Sequence, residues 1–251
     1  MANKLLFNAA SVVLLLAAWH AVTALGWISP LFLPAPLEVM QTLWNQLVVT
    51  KEVWTDVAAT LWRTLAGYLL GAAVGVAGGI LLGYSARAHD SLEFLMYFLG
   101  SLPAVALFPL FLLVFGIGDE AKIAVTIWAS AFLVLLNTMY GVRNASRLRQ
   151  MVGRTMNIGR LRLLWKIILP DALPYVFAGL RIALSFCLVV IIITEMQLGT
   201  TIGLGNRIIN EQLVYHTPEM YAAIILTGML GYLLNRAFAG IEKRAVHWSG
   251  K

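Results

Sequence analysis

The 251-residue chain is poor in most of what soluble chemistry needs. It has one cysteine, Cys187, inside an apolar block, so no disulfide framework can form and thiol redox chemistry is disfavoured. Its four histidines, His20, His89, His216 and His247, are scattered and lack metal-ligand spacing. No Walker A sequence is present, so the chain does not itself hydrolyse ATP. Only 12% of the residues are charged, about half the share of a soluble domain. The 12 acids lie outside the apolar blocks or near their ends. That counts against an ion-coupled secondary transporter or channel, which needs an acid or paired-ion site at mid-membrane. An integral-membrane enzyme would need clustered His, Asp or Cys near an interface, and none is seen.

What the chain has in abundance is apolar length. Six blocks, at about 5–25, 57–84, 92–116, 121–141, 174–196 and 220–240, are each about 20 residues or longer. At 1.5 Å per residue that spans about 30 Å of hydrocarbon. The fold class expected is an all-α polytopic membrane protein with six transmembrane helices in one domain, residues 1–251. The first block follows Lys4 and is long for a signal peptide, so a retained helix is expected.

The basic pI of 9.6 is a topology signal. The longest cationic segment carries Arg143, Arg147, Arg149, Arg154, Arg160, Arg162 and Lys166, with no acid until Asp171. With this loop inside, both termini are cytoplasmic and 13 of the 18 basic residues fall on the inner side. Eight of the 12 acids then fall on or near the outer side, among them Glu52, Asp56, Asp119, Glu195 and Glu211. This is the positive-inside pattern, and it argues for a lipid bilayer as the partner and against nucleic acid.

Several segments carry local signals. Pro30, Pro34 and Pro36 open an outer turn, after which Leu37, Met40, Leu43, Trp44, Leu47 and Val48 predict an amphipathic interfacial helix. It is a lid or a docking element. Gly67, Gly71, Gly75, Gly79 and Gly83 recur every four residues, which lets a second helix approach backbone to backbone. This stripe is a sliding contact beside a pathway or a tight static packing. Pro103 and Pro109 interrupt the third block. Broken backbone at membrane depth needs protein or a water-lined cavity around it, so this helix lines a pathway or is a packed kink. The outer loop QLGTTIGLGNRIINEQL has turns at Gly199, Gly203 and Gly205 and a short amphipathic or re-entrant helix.

Counting back from Leu169-Pro170, the inner loop resembles the coupling loop of binding-protein-dependent ABC importer permeases. Their pattern is Glu-Ala-Ala, three residues, Gly, nine residues, Ile, one residue, Leu-Pro. Ile167 stands on the Ile, Asn157 on the Gly, and Met151-Val152-Gly153 on Glu-Ala-Ala, without a gap. LPAVALFPLFLLVFGIG, LLNTMYGVRN, LPDALPYVFAGLRIAL and the Gly-Leu-Gly at 203–205 look like the nitrate/sulfonate/taurine branch, from about Pro34 to Trp248.

The resemblance implies a type I importer permease in a bacterial cytoplasmic (inner) membrane. It implies a second permease copy, two ABC ATPase subunits that bind the ATP and Mg, and an extracytoplasmic substrate-binding protein. The cargo implied is a small solute, often an anion: nitrate, an alkanesulfonate, taurine, bicarbonate or an aromatic carboxylate. Asn157 keeps the family's turn feasible, because Asn readily visits the left-handed region. Met151 removes the family's acid, and Gly153 in place of Ala is expected to loosen its helix by about 1 kcal/mol. Residues 151–165 are expected to form the coupling helix. Arg154, Arg160 and Arg162 then meet an ATPase, with Leu161, Leu164 and Trp165 in its groove and Pro170 closing the motif.

Three charges are pathway candidates. Arg181, two turns into the fifth span, snorkels inward or meets an anion. Glu195, about 21 Å further along that helix and near the outer interface, is a surface cap or a substrate contact. Arg63, near the outer start of the second span, is placed to attract anions.

Overall fold

The computed structural model describes residues 2–197 and 200–247, without the side chains of residues 2–6, 8, 9 and 154. Gly199, Trp248 and Lys251 lie outside the described residues. Eleven α-helices run along the described chain, with no strand among them: α1 Ala2–Ala24, α2 Pro36–Trp44, α3 Val53–Tyr84, α4 Ala86–Gly100, α5 Phe108–Phe115, α6 Asp119–Arg143, α7 Arg147–Thr155, α8 Arg160–Leu163, α9 Leu169–Glu195, α10 Leu204–Leu213 and α11 Thr217–Ala245.

Four stretches are long and apolar enough to cross a membrane: α3, α6, α8–α9 together, and α11. The bent pair α4–α5 makes a fifth. The sixth expected span corresponds to α1. α1 runs for 23 residues, and Ala10–Ala24 is its apolar stretch among the residues whose side chains are described.

The glycine stripe sets the packing at the centre. A Cβ added at Gly67, Gly71, Gly75, Gly79 or Gly83 would lie within 3 Å of Thr126, Ser130, Val134, Thr138 or Val142 of α6, respectively. Four-residue spacing on α3 is thus answered by four-residue spacing on α6. At Gly71 and Gly75 the Cβ would also meet backbone oxygens of Ile127 and Ala131, each at 2.6 Å. That is backbone-to-backbone approach, which the sliding-contact and static-packing readings share. Ser130 Oγ reinforces the seam by donating to Gly67 O at 3.3 Å.

α9 closes this pair into a three-helix centre. Tyr68, Ala72, Val134, Ala183, Leu184 and Cys187 pack there with Phe238 of α11. α11 is otherwise peripheral: 11% of its apolar window is buried, against 44% for α6 and α9. Its remaining surface is left for lipid or another chain.

Pro103, Pro109 and Pro170 each sit at or just before a helix start. The third block is not one continuous helix. α4 and the short turn plus α5 meet at 84°, with Ser101–Pro103 between them. Pro103 stands extended ahead of the 3-10 turn Ala104–Leu107, and Pro109 sits in the first turn of α5, where its missing N–H is no loss. Pro170 does not break the chain either. A π-helical turn over Leu164–Ile168 leads straight into α9, so Arg160 to Glu195 is continuous helix. The wider turn contains Lys166, whose carbonyl the Pro170 ring would otherwise strike.

Candidate functional site: the two ends of the central bundle

At the end expected to face the cytoplasm, called the inner end, α6 finishes at Arg143 and the chain reverses through Asn144–Ser146. Asp171, the loop's acid, ties this reversal to α9. Its carboxylate accepts from the Ser146 backbone N–H at 2.7 Å and pairs with Arg149. α7 then runs back beneath the bundle. Gly153 is buried against the methyl ends of Leu163 and Ile167, where an added Cβ would sit at 2.7 and 2.8 Å. The glycine expected to loosen α7 therefore also lets it lie close on α8.

Asn157 has φ +58°, the left-handed conformation its place in the motif predicts. Ile158 N–H donates to Gly153 O at 3.1 Å and Met156 N–H to Val152 O at 3.1 Å, closing α7. Gly159 is extended, and α8 starts at Arg160.

This geometry corrects two expectations. Residues 151–165 are not a single coupling helix. They are the end of α7, a four-residue turn, and the start of the long helix that becomes the fifth span. Leu164 is not available to a partner: with Leu163, Ile168 and Ala172 it belongs to the chain's own inner core. Leu161 is 71% exposed and Trp165 63%, and Leu148, Met151, Val152 and Met156 are exposed beside them. Arg160 and Arg162 stand among these apolar groups. The described side chains do not include that of Arg154.

At the outer end the charges are brought together and hidden. Glu195 is fully buried, so it is not a surface cap. Arg63 Nη1 donates to Glu195 Oε1 at 2.6 Å and to Ile202 O at 2.8 Å, while its Nε donates to Asp119 Oδ1 at 2.8 Å. Arg63 is 3% exposed, and its charge is committed within the chain. Thr60 Oγ1 donates to Glu195 Oε2 at 2.8 Å.

The same cluster receives the first turn of α10. Gly203 N–H donates to Asp56 Oδ1 at 2.8 Å, Leu204 N–H to Thr60 Oγ1 at 2.9 Å and Gly205 N–H to Glu195 Oε2 at 3.0 Å. Arg207 Nε adds a 2.9 Å bond to Asp56 Oδ2. The orphan N–H groups of a helix start are thus satisfied by carboxylates and a hydroxyl of α3 and α9. Gly203, at φ +139°, and Gly205 are required here. A Cβ on Gly203 would strike the Glu195 carboxylate at 2.5 Å, and one on Gly205 would meet Ile192 O at 2.3 Å.

Sequence reasoning named Arg63 and Glu195 but not their pairing, and it missed Asp56, Thr60, Asp119 and Arg207 as partners. A usable signal existed. Glu52, Asp56, Thr60 and Arg63 recur at three- and four-residue spacing, one polar face on an apolar helix. Lys122 was also missed; it is fully buried one turn into α6 and donates to Gly118 O at 2.9 Å. Arg181 is half exposed and lies 3.5 Å from Glu242 of α11. Pro103 borders a cavity of about 270 Å³ with Ser101, Trp128, Phe132 and Phe186.

An all-helical membrane bundle with a broken third span and a helix-turn-helix inner loop defines a class, the type I ABC importer permease fold. One chain of the "inward facing conformations of the MetNI methionine ABC transporter" superimposes with a TM-score of 0.67 at 20% identity, covering 77% of this chain and 95% of that one. Residues 67–247 match the model for the binding-protein-dependent transport system inner membrane component, and the chain belongs to that family.

SsuC of Escherichia coli (strain K12), named as an aliphatic sulfonates transport permease, is 30% identical over 94% of this chain and 89% of its own. The taurine transport system permease TauC of the same organism is 27% identical over 100% and 92%. The nitrate import permease NrtB of Leptolyngbya laminosa is 31% identical over 84% and 78%. The chain is a non-catalytic membrane subunit of an ABC importer.

Proposed function

We propose that this permease carries a small oxyanion inward, as one of two copies flanking the pathway. Two cytoplasmic ATPases press on the α7–α8 elbow, and a substrate-binding protein delivers the solute outside. Both termini are cytoplasmic in this reading. The relatives named for sulfonate, taurine and nitrate support the solute class. The single observation that carries the coupling role is the elbow itself. A left-handed Asn157 in the family's register presents exposed Leu161 and Trp165 among arginines. Apolar anchors ringed by charge are what a groove on a partner recognises.

ATP binding closes the ATPase pair. Because α8 runs unbroken into α9, a push on Leu161 and Trp165 moves the fifth span as a rigid rod. Its far end is Glu195, which holds the α10 start through Gly205. The outer lock and the inner elbow are thus two ends of one helix.

The test is uptake by the reconstituted complex with its ATPases and binding protein. Radiolabelled nitrate, taurine and an alkanesulfonate are compared in proteoliposomes with and without ATP. ATP-dependent uptake of one of them, abolished by Trp165→Asp, is expected. Uptake of any of them without ATPases would overturn the reading.

A further inference from the structure

A cavity of about 690 Å³ lies at the elbow end of the bundle. It is bordered by the inner ends of α3 (Gly83, Tyr84) and α6 (Val142, Arg143), by Gln150 of α7, and by Arg160, Leu163 and Ile168. No acid lines it. Asp171, the nearest candidate along the loop, is occupied by Arg149 and the Ser146 N–H. Arg143 and Arg160 are exposed, and among the described residues neither forms an ion pair. The floor is apolar, since Val142, Leu163 and Ile168 are buried. The cavity is therefore two-natured, with a cationic rim over a hydrocarbon floor.

Its depth in the membrane follows from helix length. α3 has 32 residues, about 48 Å at 1.5 Å per residue, which exceeds the roughly 30 Å hydrocarbon core. The excess lets its last residue, Tyr84, reach head-group level, where Tyr is favoured. Tyr84 Oη donates to Arg160 O at 3.3 Å, which holds the elbow at that level. Basic pockets between spans on the cytoplasmic side suit anionic head groups. A soluble anion would have no use for the apolar floor.

We propose that this cavity binds an anionic phospholipid of the inner leaflet. Its head-group phosphate sits between Arg143 and Arg160, and the start of its acyl chains lies over Val142, Leu163 and Ile168. The lipid then joins the inner ends of α3 and α6 to the elbow. This inference rests on the cytoplasmic placement of the loop in the proposed function.

The experiment uses the whole complex, permease with ATPases, purified and exchanged into phosphatidylcholine nanodiscs. Phosphatidylglycerol is titrated in, and lipid retained after washing is counted by native mass spectrometry. Saturable retention of phosphatidylglycerol over phosphatidylcholine is expected. Arg143→Gln and Arg160→Gln each weaken it about fivefold and the double variant about 25-fold, while Arg143→Lys and Arg160→Lys keep most of it. Arg236→Gln, the same charge loss on the inner part of α11, changes retention less than twofold.

Equal loss in Arg236→Gln overturns the site in favour of general surface charge. Displacement of the lipid by millimolar inorganic phosphate alone overturns it in favour of a free-anion pocket. Absence of phosphatidylglycerol retention in a complex that keeps its ATPases overturns the lipid site only, whereas loss of the ATPases from the wild-type complex contradicts the proposed function.

Discussion

The two ends of the α3–α6–α9 bundle use the same residue types in opposite ways. Outside, Arg63 and Arg207 are matched by Glu195, Asp119 and Asp56, and the hydroxyl of Thr60 and three backbone N–H groups complete the set. At the other end, the loop from Arg143 to Asp171 carries seven cations and one acid, and Leu161 and Trp165 stand uncovered among them. A buried charge needs a partner because desolvation costs several kcal/mol per ion. An exposed charge near lipid head groups or a protein groove can wait for one. The outer end is therefore finished within the chain, whereas the inner end is built to be completed by others.

Breaking the outer lock should have the largest effect on stability. Glu195→Ala leaves the Arg63 guanidinium buried with only Asp119 and the Ile202 carbonyl as acceptors and is expected to destabilise the subunit by about 3–5 kcal/mol. Thermal unfolding of the detergent-purified chain measures this. Adding Arg63→Met to Glu195→Ala should recover part of the loss, and strict additivity would show that the two groups do not interact.

The helix seam comes next. Gly75→Ala places a Cβ 2.6 Å from Ala131 O and should cost about 1–3 kcal/mol by overpacking. Gly228→Ala, with nothing within 4 Å of its Cβ, should be neutral or stabilise by up to about 1 kcal/mol. Equal effects at the two positions would contradict backbone contact at the stripe.

A smaller effect is expected at the α10 start. Asp56→Asn removes the charge facing Arg207 and weakens the Gly203 bond, about 1–2 kcal/mol. Hydrogen exchange should rise in α10 and leave α7 unchanged. The smallest effect on stability belongs to the inner surface: Leu161→Ala or Trp165→Ala should shift unfolding by less than about 0.5 kcal/mol while weakening ATPase retention.

The sequence-based expectations were unequal in the same way. The membrane class, the glycine seam and the left-handed turn at Asn157 were legible because each is a local pattern: a run of apolar length, a four-residue period, a residue tolerant of positive φ. The limits of the coupling unit were not. Whether Leu164 faces out or in depends on where the Leu164–Ile168 π turn rotates the helix, and a Leu-Pro step does not reveal that. The outer lock was missed because Asp56, Asp119, Glu195 and Arg207 are far apart in sequence, so that individually each reads as an interfacial charge.

The most direct test of the account concerns Asn157, whose φ of +58° proline cannot adopt. Asn157→Pro and Asn157→Gly are each expressed with the cognate ATPase, and the ATPase co-purifying with the permease is quantified alongside the melting temperature. The elbow predicts that Asn157→Gly retains wild-type amounts, while Asn157→Pro loses most of the ATPase with its outer lock and melting temperature nearly intact. Full ATPase retention by Asn157→Pro would contradict the placement of the coupling surface on this turn.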